Sequence, residues 1–229
     1  MKKLLLFLLL GSSLFLLVQE EMDNDFVFLK EESNFPIVEI PPSSQKWLGN
    51  LLLLPKEPYN REKAADIVGT LSHLPESMLE KLWENRIYIR LFSGNLTDLK
   101  ENVHLKGQRP RGYKEKFWDQ VPGAGGGHIV YVKIGASDKG MGHGSENLEL
   151  HELAHSIDKI VYSEIRKDPQ FLAIWEKETE ELFQNRQYFS RFPEEFFAES
   201  FALFYANKNT KNYLKEYGPS IYSYIEDLK

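Results

Sequence analysis

Leu148-Glu149-Leu150-His151-Glu152-Leu153-Ala154-His155-Ser156-Ile157-Asp158 is the stretch on which the fold turns. The spacing of His151 and His155 sets both imidazoles on one face of a helix, one turn apart, where they can share a metal ion. Glu152 then stands beside that ion, placed to act on a water rather than to ligate. At about 100° per residue, Leu150, Leu153, Ala154, Ile157, Ile160 and Val161 gather within one arc and make the core side of the helix. His151, Glu152 and His155 fall on the opposite side, so the core face is filled without them. Ser145 and Glu146 are the expected N-cap and first-turn acid. The bland alternative is a pair of histidines on a solvated helix, which short motifs produce by accident.

A catalytic zinc takes three protein ligands and keeps one position open. The chain has no cysteine, so disulfides, thiolate nucleophiles and thiolate metal sites are excluded, and any metal is held by histidine and carboxylate. Extension of the motif by a third nearby histidine fails, because Asp158 stands where glycine is needed and Val161 where the histidine would be. The other histidines, at 73, 104, 128 and 143, show no partnered spacing. A carboxylate from the helix Pro193-Glu194-Glu195-Phe196-Phe197-Ala198-Glu199-Ser200-Phe201-Ala202-Leu203-Phe204 is the better source. Pro193 suits a first helical position. Phe197, Phe201 and Phe204 form a core side, while Glu195 and Glu199 stack one turn apart. Such a like-charged pair costs a few tenths of a kcal/mol, roughly, unless a cation sits beside it. One glutamate then ligates and the other hydrogen-bonds a ligating histidine; the alternative is two solvated surface acids.

Composition sets the frame around this site. The 229 residues are 42% hydrophobic and include 15 Phe, 11 Tyr and 4 Trp, which excludes a disordered chain. The net charge of −6 argues against nucleic acid as a partner. Lys2-Lys3 and the apolar run Leu4 to Val18 read as a signal peptide over residues 1–18, extending to about residue 25 at most. The run is shorter than the ~20 residues of a spanning helix, but no Ala-x-Ala cleavage pattern follows it, so an uncleaved anchor stays open. The expectation is a secreted, extracellular protein without stable membrane association after signal removal.

Residues 19–58 read as an extended N-terminal segment, punctuated by Pro36, Pro41, Pro42 and Pro55, and suited to a linker or edge strand. Residues 59–229 read as a single domain. Asn60 to Arg86 is helical in period and divides at Pro75; Ile87–Leu91 and Ile129–Ile134 read as strands; everything from Ser145 onward reads as helix. Gly123-Ala124-Gly125-Gly126-Gly127 lacks the Lys-Ser/Thr of a phosphate loop and is either a mobile connection or a flap over a cleft. The fold class is therefore α+β, with a small N-terminal α/β part of short strands and a mainly helical C-terminal half carrying the histidine helix.

The run Gly142 to Asp158, Tyr188 seven residues before Glu195, and Pro-Glu-Glu-Phe-Phe-Ala-Glu-Ser-Phe at 193–201 resemble the anthrax lethal-factor-type metallopeptidase domain. Within it they are similar to the small secreted Pro-Pro endopeptidases of Gram-positive bacteria. The resemblance extends from about Ile87 to Ile225 and includes Phe117-Trp118-Asp119-Gln120-Val121-Pro122-Gly123. It implies a zincin-like fold and one Zn2+ per chain on His151, His155 and Glu195. It also implies Glu152 as general base, Tyr188 as the hydroxyl that stabilises the oxyanion or leaving group, and Glu199 as a supporting acid. Trp118 falls on a position lining the substrate cleft, the competing reading being a core residue. Glu194 and Lys116 are expected to pair near the cleft. The implied activity is hydrolysis between two prolines in extracellular or cell-surface proteins. A zinc endopeptidase of other specificity and a noncatalytic zinc-stabilised binding domain are the alternatives. Residues 107–117 and 125–128 depart from the family pattern, which puts specificity in doubt rather than chemistry.

Overall fold

The computed structural model describes residues 25–56, 58–111, 115–184 and 187–228; the expected leader at 1–18 lies outside them. The chain begins with β1 (Phe26–Phe28), then α1 (Pro42–Leu51), β2 (Leu52–Pro55), α2 (Arg61–Leu71), α3 (Glu76–Glu84) and β3 (Tyr88–Phe92). A long connection with 3-10 turns leads to β4 (Gly123–Ala124) and β5 (Ile129–Lys133). The helical half follows: α4 (Leu148–Ser156), α5 (Pro169–Leu182), α6 (Gln187–Arg191), α7 (Pro193–Ala206), α8 (Lys208–Tyr217) and α9 (Pro219–Asp227). This is the expected α+β architecture, with the helix break at Pro75 and the two strands close to where the pattern put them.

The strands form one sheet in the order β1-β2-β3-β5-β4. β2, β3 and β5 run parallel, while β1 and β4 close the two edges antiparallel. Parallel strands are covered on both faces, which accounts for the unbroken burial of β2 and β3. On β5 only Val130 and Val132 are buried, so its other residues remain partly open to solvent.

The front segment departs from the extended reading. Pro41 and Pro42 do not break structure here: Pro42 starts α1, the place where a missing N–H costs nothing and a fixed φ helps. Leu48 and Leu51 of α1 and Leu52 and Leu54 of β2 are fully buried. β2 is an interior strand, and Pro55 is tolerated because it ends it.

Helix α4 follows the sheet and packs on α7, the most closely knit pair of elements. Leu150, Leu153, Ala154 and Ile157 fill its core side as the periodicity requires, while Ile160 and Val161 are only partly buried. The N-cap is Asn147 rather than Ser145: the Asn147 side chain accepts from the Leu150 N–H at 3.0 Å. Immediately beyond α4, residues Ile157–Val161 form a π-turn. Asp158 in that turn is buried and accepts from the Arg166 N–H at 2.9 Å and from its Nε at 2.6 Å. On the far side of α7, Phe171, Phe196 and Phe197 cluster with ring centroids 5.9 and 6.1 Å apart, fixing α5 to α7.

Candidate active site

α4 and α7 bring together the two motifs singled out in the sequence. His151 Nε2 lies 3.3 Å and His155 Nε2 3.6 Å from the same oxygen, Oε2 of Glu195. The three donor atoms lie within 4.8 Å of one another, the one such group of histidines and acids among the described residues. The imidazoles meet edge to face, with centroids 5.0 Å apart. Ligands about 2.0–2.2 Å from a tetrahedral zinc stand roughly 3.3–3.5 Å from each other, so the nitrogen–oxygen separations fit that ion, as does the nitrogen-and-oxygen donor set.

Glu199 lies one turn along α7 and is 1% exposed, far from a solvated acid. Its Oε2 meets His151 Nδ1 at 3.1 Å and its Oε1 accepts from the Glu146 N–H at 3.1 Å. This arrangement leaves Nε2 of His151 as the nitrogen offered to a metal. The Tyr188 hydroxyl, on α6, donates to Glu195 Oε1 at 2.9 Å.

Electrostatics follow from burial and proximity. Burial opposes charge on His151, but hydrogen bonds to Glu195 and Glu199 and the charge of Glu152 outweigh it and push its pKa up to about 10. Burial likewise opposes ionisation of Glu195, and the two histidines reverse that, holding the carboxyl well below the usual range. Glu152 is raised, first by desolvation, with Glu195 adding to it; His151, His155 and the Gly125 N–H pull in the other direction.

The glycine run packs against the histidine helix. Gly123 and Ala124 are the edge strand β4, and Gly125 to Gly127 lie directly on α4. A Cβ on Gly125 would stand 1.8 Å from the Glu152 carbonyl oxygen, and one on Gly123 3.0 Å from Glu152 Cγ. Only glycine permits this approach.

The cleft has a volume of about 380 Å3 and is bounded by Trp118, the β4 edge, His143 and Tyr188. Trp118 is partly exposed and lines it, so it is a wall rather than core. Glu194 also faces the cleft, but its partners are Arg111, 2.5 Å away, and Arg166, 3.6 Å away. Lys116, expected to pair with it, donates instead to the Gly142 carbonyl at 2.7 Å and ties two cleft-side loops together. Neither Arg111 nor Arg166 was legible as a partner, because neither has periodic spacing to Glu194. His143, passed over for want of a partner, borders the cleft with both ring nitrogens engaged, Nδ1 with Ser145 Oγ at 2.6 Å and Nε2 with the Ala136 carbonyl at 2.7 Å. Those bonds brace the loop before α4.

Comparison with known proteins agrees with this arrangement. The family described as anthrax toxin lethal factor, N- and C-terminal domain, matches residues 39–228, well upstream of the resemblance read from motifs. A Pro-Pro endopeptidase of Clostridioides difficile is 43% identical over 183 residues, covering 79% of this chain and 82% of that protein. A Pro-Pro endopeptidase of Paenibacillus alvei is 35% identical over 197 residues, covering 84% of this chain and 90% of that one. The solved structure of the Pro-Pro endopeptidase PPEP-2 from Paenibacillus alvei superposes with a TM-score of 0.76 at 36% identity, over 80% of this chain and all of that one. With two histidines and a glutamate converging between α4 and α7, and with likeness running through nearly all the described residues, this chain belongs to the anthrax toxin lethal factor family.

Proposed function

We propose that this protein is a zinc metalloendopeptidase that cleaves between two prolines in extended segments of extracellular proteins. The observation that carries the reading is the convergence of His151, His155 and Glu195 beside Glu152, beneath an open sheet edge. The names borne by its relatives supply the bond preference.

His151, His155 and Glu195 would hold the ion. Zinc bound there would supply Lewis acidity, able to polarise a carbonyl and to lower the pKa of water to about 7. Glu152 accepts a proton from the attacking water and returns it to the leaving nitrogen. That nitrogen belongs to a proline ring and has no N–H of its own, so proton delivery by Glu152 completes its departure. The Tyr188 hydroxyl, which donates to Glu195 in the structure, would turn from it to donate to the developing oxyanion; losing one such donor typically costs about 2.7–4 kcal/mol of barrier. A peptide laid along β4 extends the sheet by one strand. Prolines cannot donate in such a pairing but can accept, and their chain is already extended, so little ordering entropy is lost. Trp118 supplies an apolar wall for pyrrolidine rings.

Export is part of the proposal, supported by Lys2-Lys3 and the run Leu4–Val18; no helix among the described residues is long and apolar enough to cross a membrane.

The test is a peptide with Pro-Pro at its centre beside its Pro-Ala and Ala-Pro counterparts, cut by wild-type and Glu152→Ala proteins. Wild type should cut Pro-Pro fastest, and Glu152→Ala should keep zinc while losing turnover. Equal cutting of a single-proline peptide would leave only a general endopeptidase. Residual hydrolysis above a tenth of wild type in Glu152→Ala would overturn the role of Glu152.

A further inference from the structure

Ser156 takes no part in the chemistry above, yet its surroundings are specific. It lies on α4 four residues after Glu152, on the same side of the helix, and is completely buried. A helical serine commonly bonds back to the carbonyl one turn earlier. Here the hydroxyl reaches out of the helix. It accepts from the Gly126 N–H at 3.0 Å and donates to the Gly127 carbonyl at 2.8 Å. The carbonyl one turn earlier, that of Glu152, is pressed against Gly125 instead.

Consecutive turns of α4 thus meet consecutive residues of the glycine strip: the Glu152 turn meets Gly123 and Gly125, and the Ser156 turn meets Gly126 and Gly127. Ahead of this contact the strip is held by β4, where Gly123 pairs with Val132 and Ala124 with Tyr131. Behind it, the His128 carbonyl accepts from the Tyr88 N–H at 2.8 Å. Between those anchors the Glu152 carboxylate meets the Gly125 N–H, and Ser156 fastens Gly126 and Gly127 to the helix. Without it, Gly126 and Gly127 gain freedom while Gly125 and the sheet on either side keep their bonds.

We propose that Ser156 is a positioning residue for the hydrolysis. By clasping Gly126 and Gly127 it fixes the height of the glycine strip above Glu152, and so the distance between that carboxylate and a scissile bond lying along the strip. The inference rests on the peptidase reading and on Glu152 as its base. Misplacement of reacting groups by about 1 Å can cost a hundredfold in rate, whereas binding along the rest of the edge is little affected. A substitution at Ser156 therefore acts on kcat more than on KM.

The test is Ser156→Ala, measured alone and in a Glu152→Asp background. Ser156→Ala should keep its zinc content and its melting temperature within a few degrees, lower kcat on a Pro-Pro peptide by about 10- to 100-fold, and shift KM less than threefold. In the Glu152→Asp background, where the base is already misplaced, the same change should cost much less, because two residues acting through one geometry are not additive. In the metal-free protein, the Gly126 amide should exchange faster in Ser156→Ala than in wild type. Wild-type kcat in Ser156→Ala, an equal loss in both backgrounds, or unchanged Gly126 exchange would each overturn the assignment. If wild type cuts no peptide while Gly126 exchange still responds to Ser156→Ala, the clasp stands as structure, but the peptidase reading fails and the positioning role falls with it.

Discussion

Glu199 shows how much a site owes to a residue that holds no metal. Its carboxylate bonds Nδ1 of His151 with one oxygen and the backbone at Glu146 with the other, so it fixes the imidazole and the loop entering α4 together. Removing such a partner typically weakens metal binding 10- to 100-fold. Glu199→Ala should lose zinc to a chelator at correspondingly lower chelator concentration, as read by competition titration; unchanged affinity would mean that packing alone orients His151. Legibility at this scale divides cleanly. His151, Glu152 and His155 were readable because a helix repeats every 3.6 residues and a metal asks for one face. Glu195 and Glu199 were readable as a pair for the same reason, but only the resemblance proposed Glu195 as the ligand, and only it proposed a role for Tyr188. The partners of Glu194 were not readable: Lys116 and Arg111 carry the same charge on one aperiodic loop, and which of them reaches across is decided by the path of the backbone.

At the scale of elements, the helical half matched its periodicity and the front segment did not. Two adjacent prolines suggested a break, and pattern reading has no means of telling a break from a helix start when the helix that follows is short and polar on its exposed side. The leucines that settle the matter, Leu48, Leu51, Leu52 and Leu54, form a near-continuous run in which a helix ends and a buried strand begins without any turn residue between. Because β2 lies between β1 and β3, a chain shortened to begin at residue 59 loses two strands and exposes the edge of β3. Burial of a leucine stabilises by about 1.5–3 kcal/mol, so four such losses approach the whole stability of a typical domain, about 5–15 kcal/mol. The shortened chain should lack a cooperative thermal transition by circular dichroism. A transition like that of the longer chain would show that the strands from β3 onward suffice.

Seen whole, the molecule sets an open sheet edge against a helix pair and places a nitrogen-and-oxygen donor set between them. The chain itself contains one Pro-Pro bond, Pro41–Pro42, and it falls where α1 begins. Both rings are exposed, and Pro41 has φ −53° and ψ 140°, the extended form a cleft of this kind favours. On the other side of the bond, Pro42, Ser43 and Ser44 are already helical and Ser44 is buried. A peptide must be extended on both sides of the scissile bond to lie along β4, so cutting here first requires the opening turn of α1 to unwind. For an enzyme that cuts between prolines, folding is then a form of immunity: the finished molecule resists its neighbours while an unfolded copy does not. Glu152→Ala protein, which cannot cut itself, should stay intact when folded and mixed with wild type, and should yield a new N-terminus at Pro42 when offered after denaturation and rapid dilution. Equal cutting of the folded form, read by mass spectrometry, would show that the start of α1 gives no such protection.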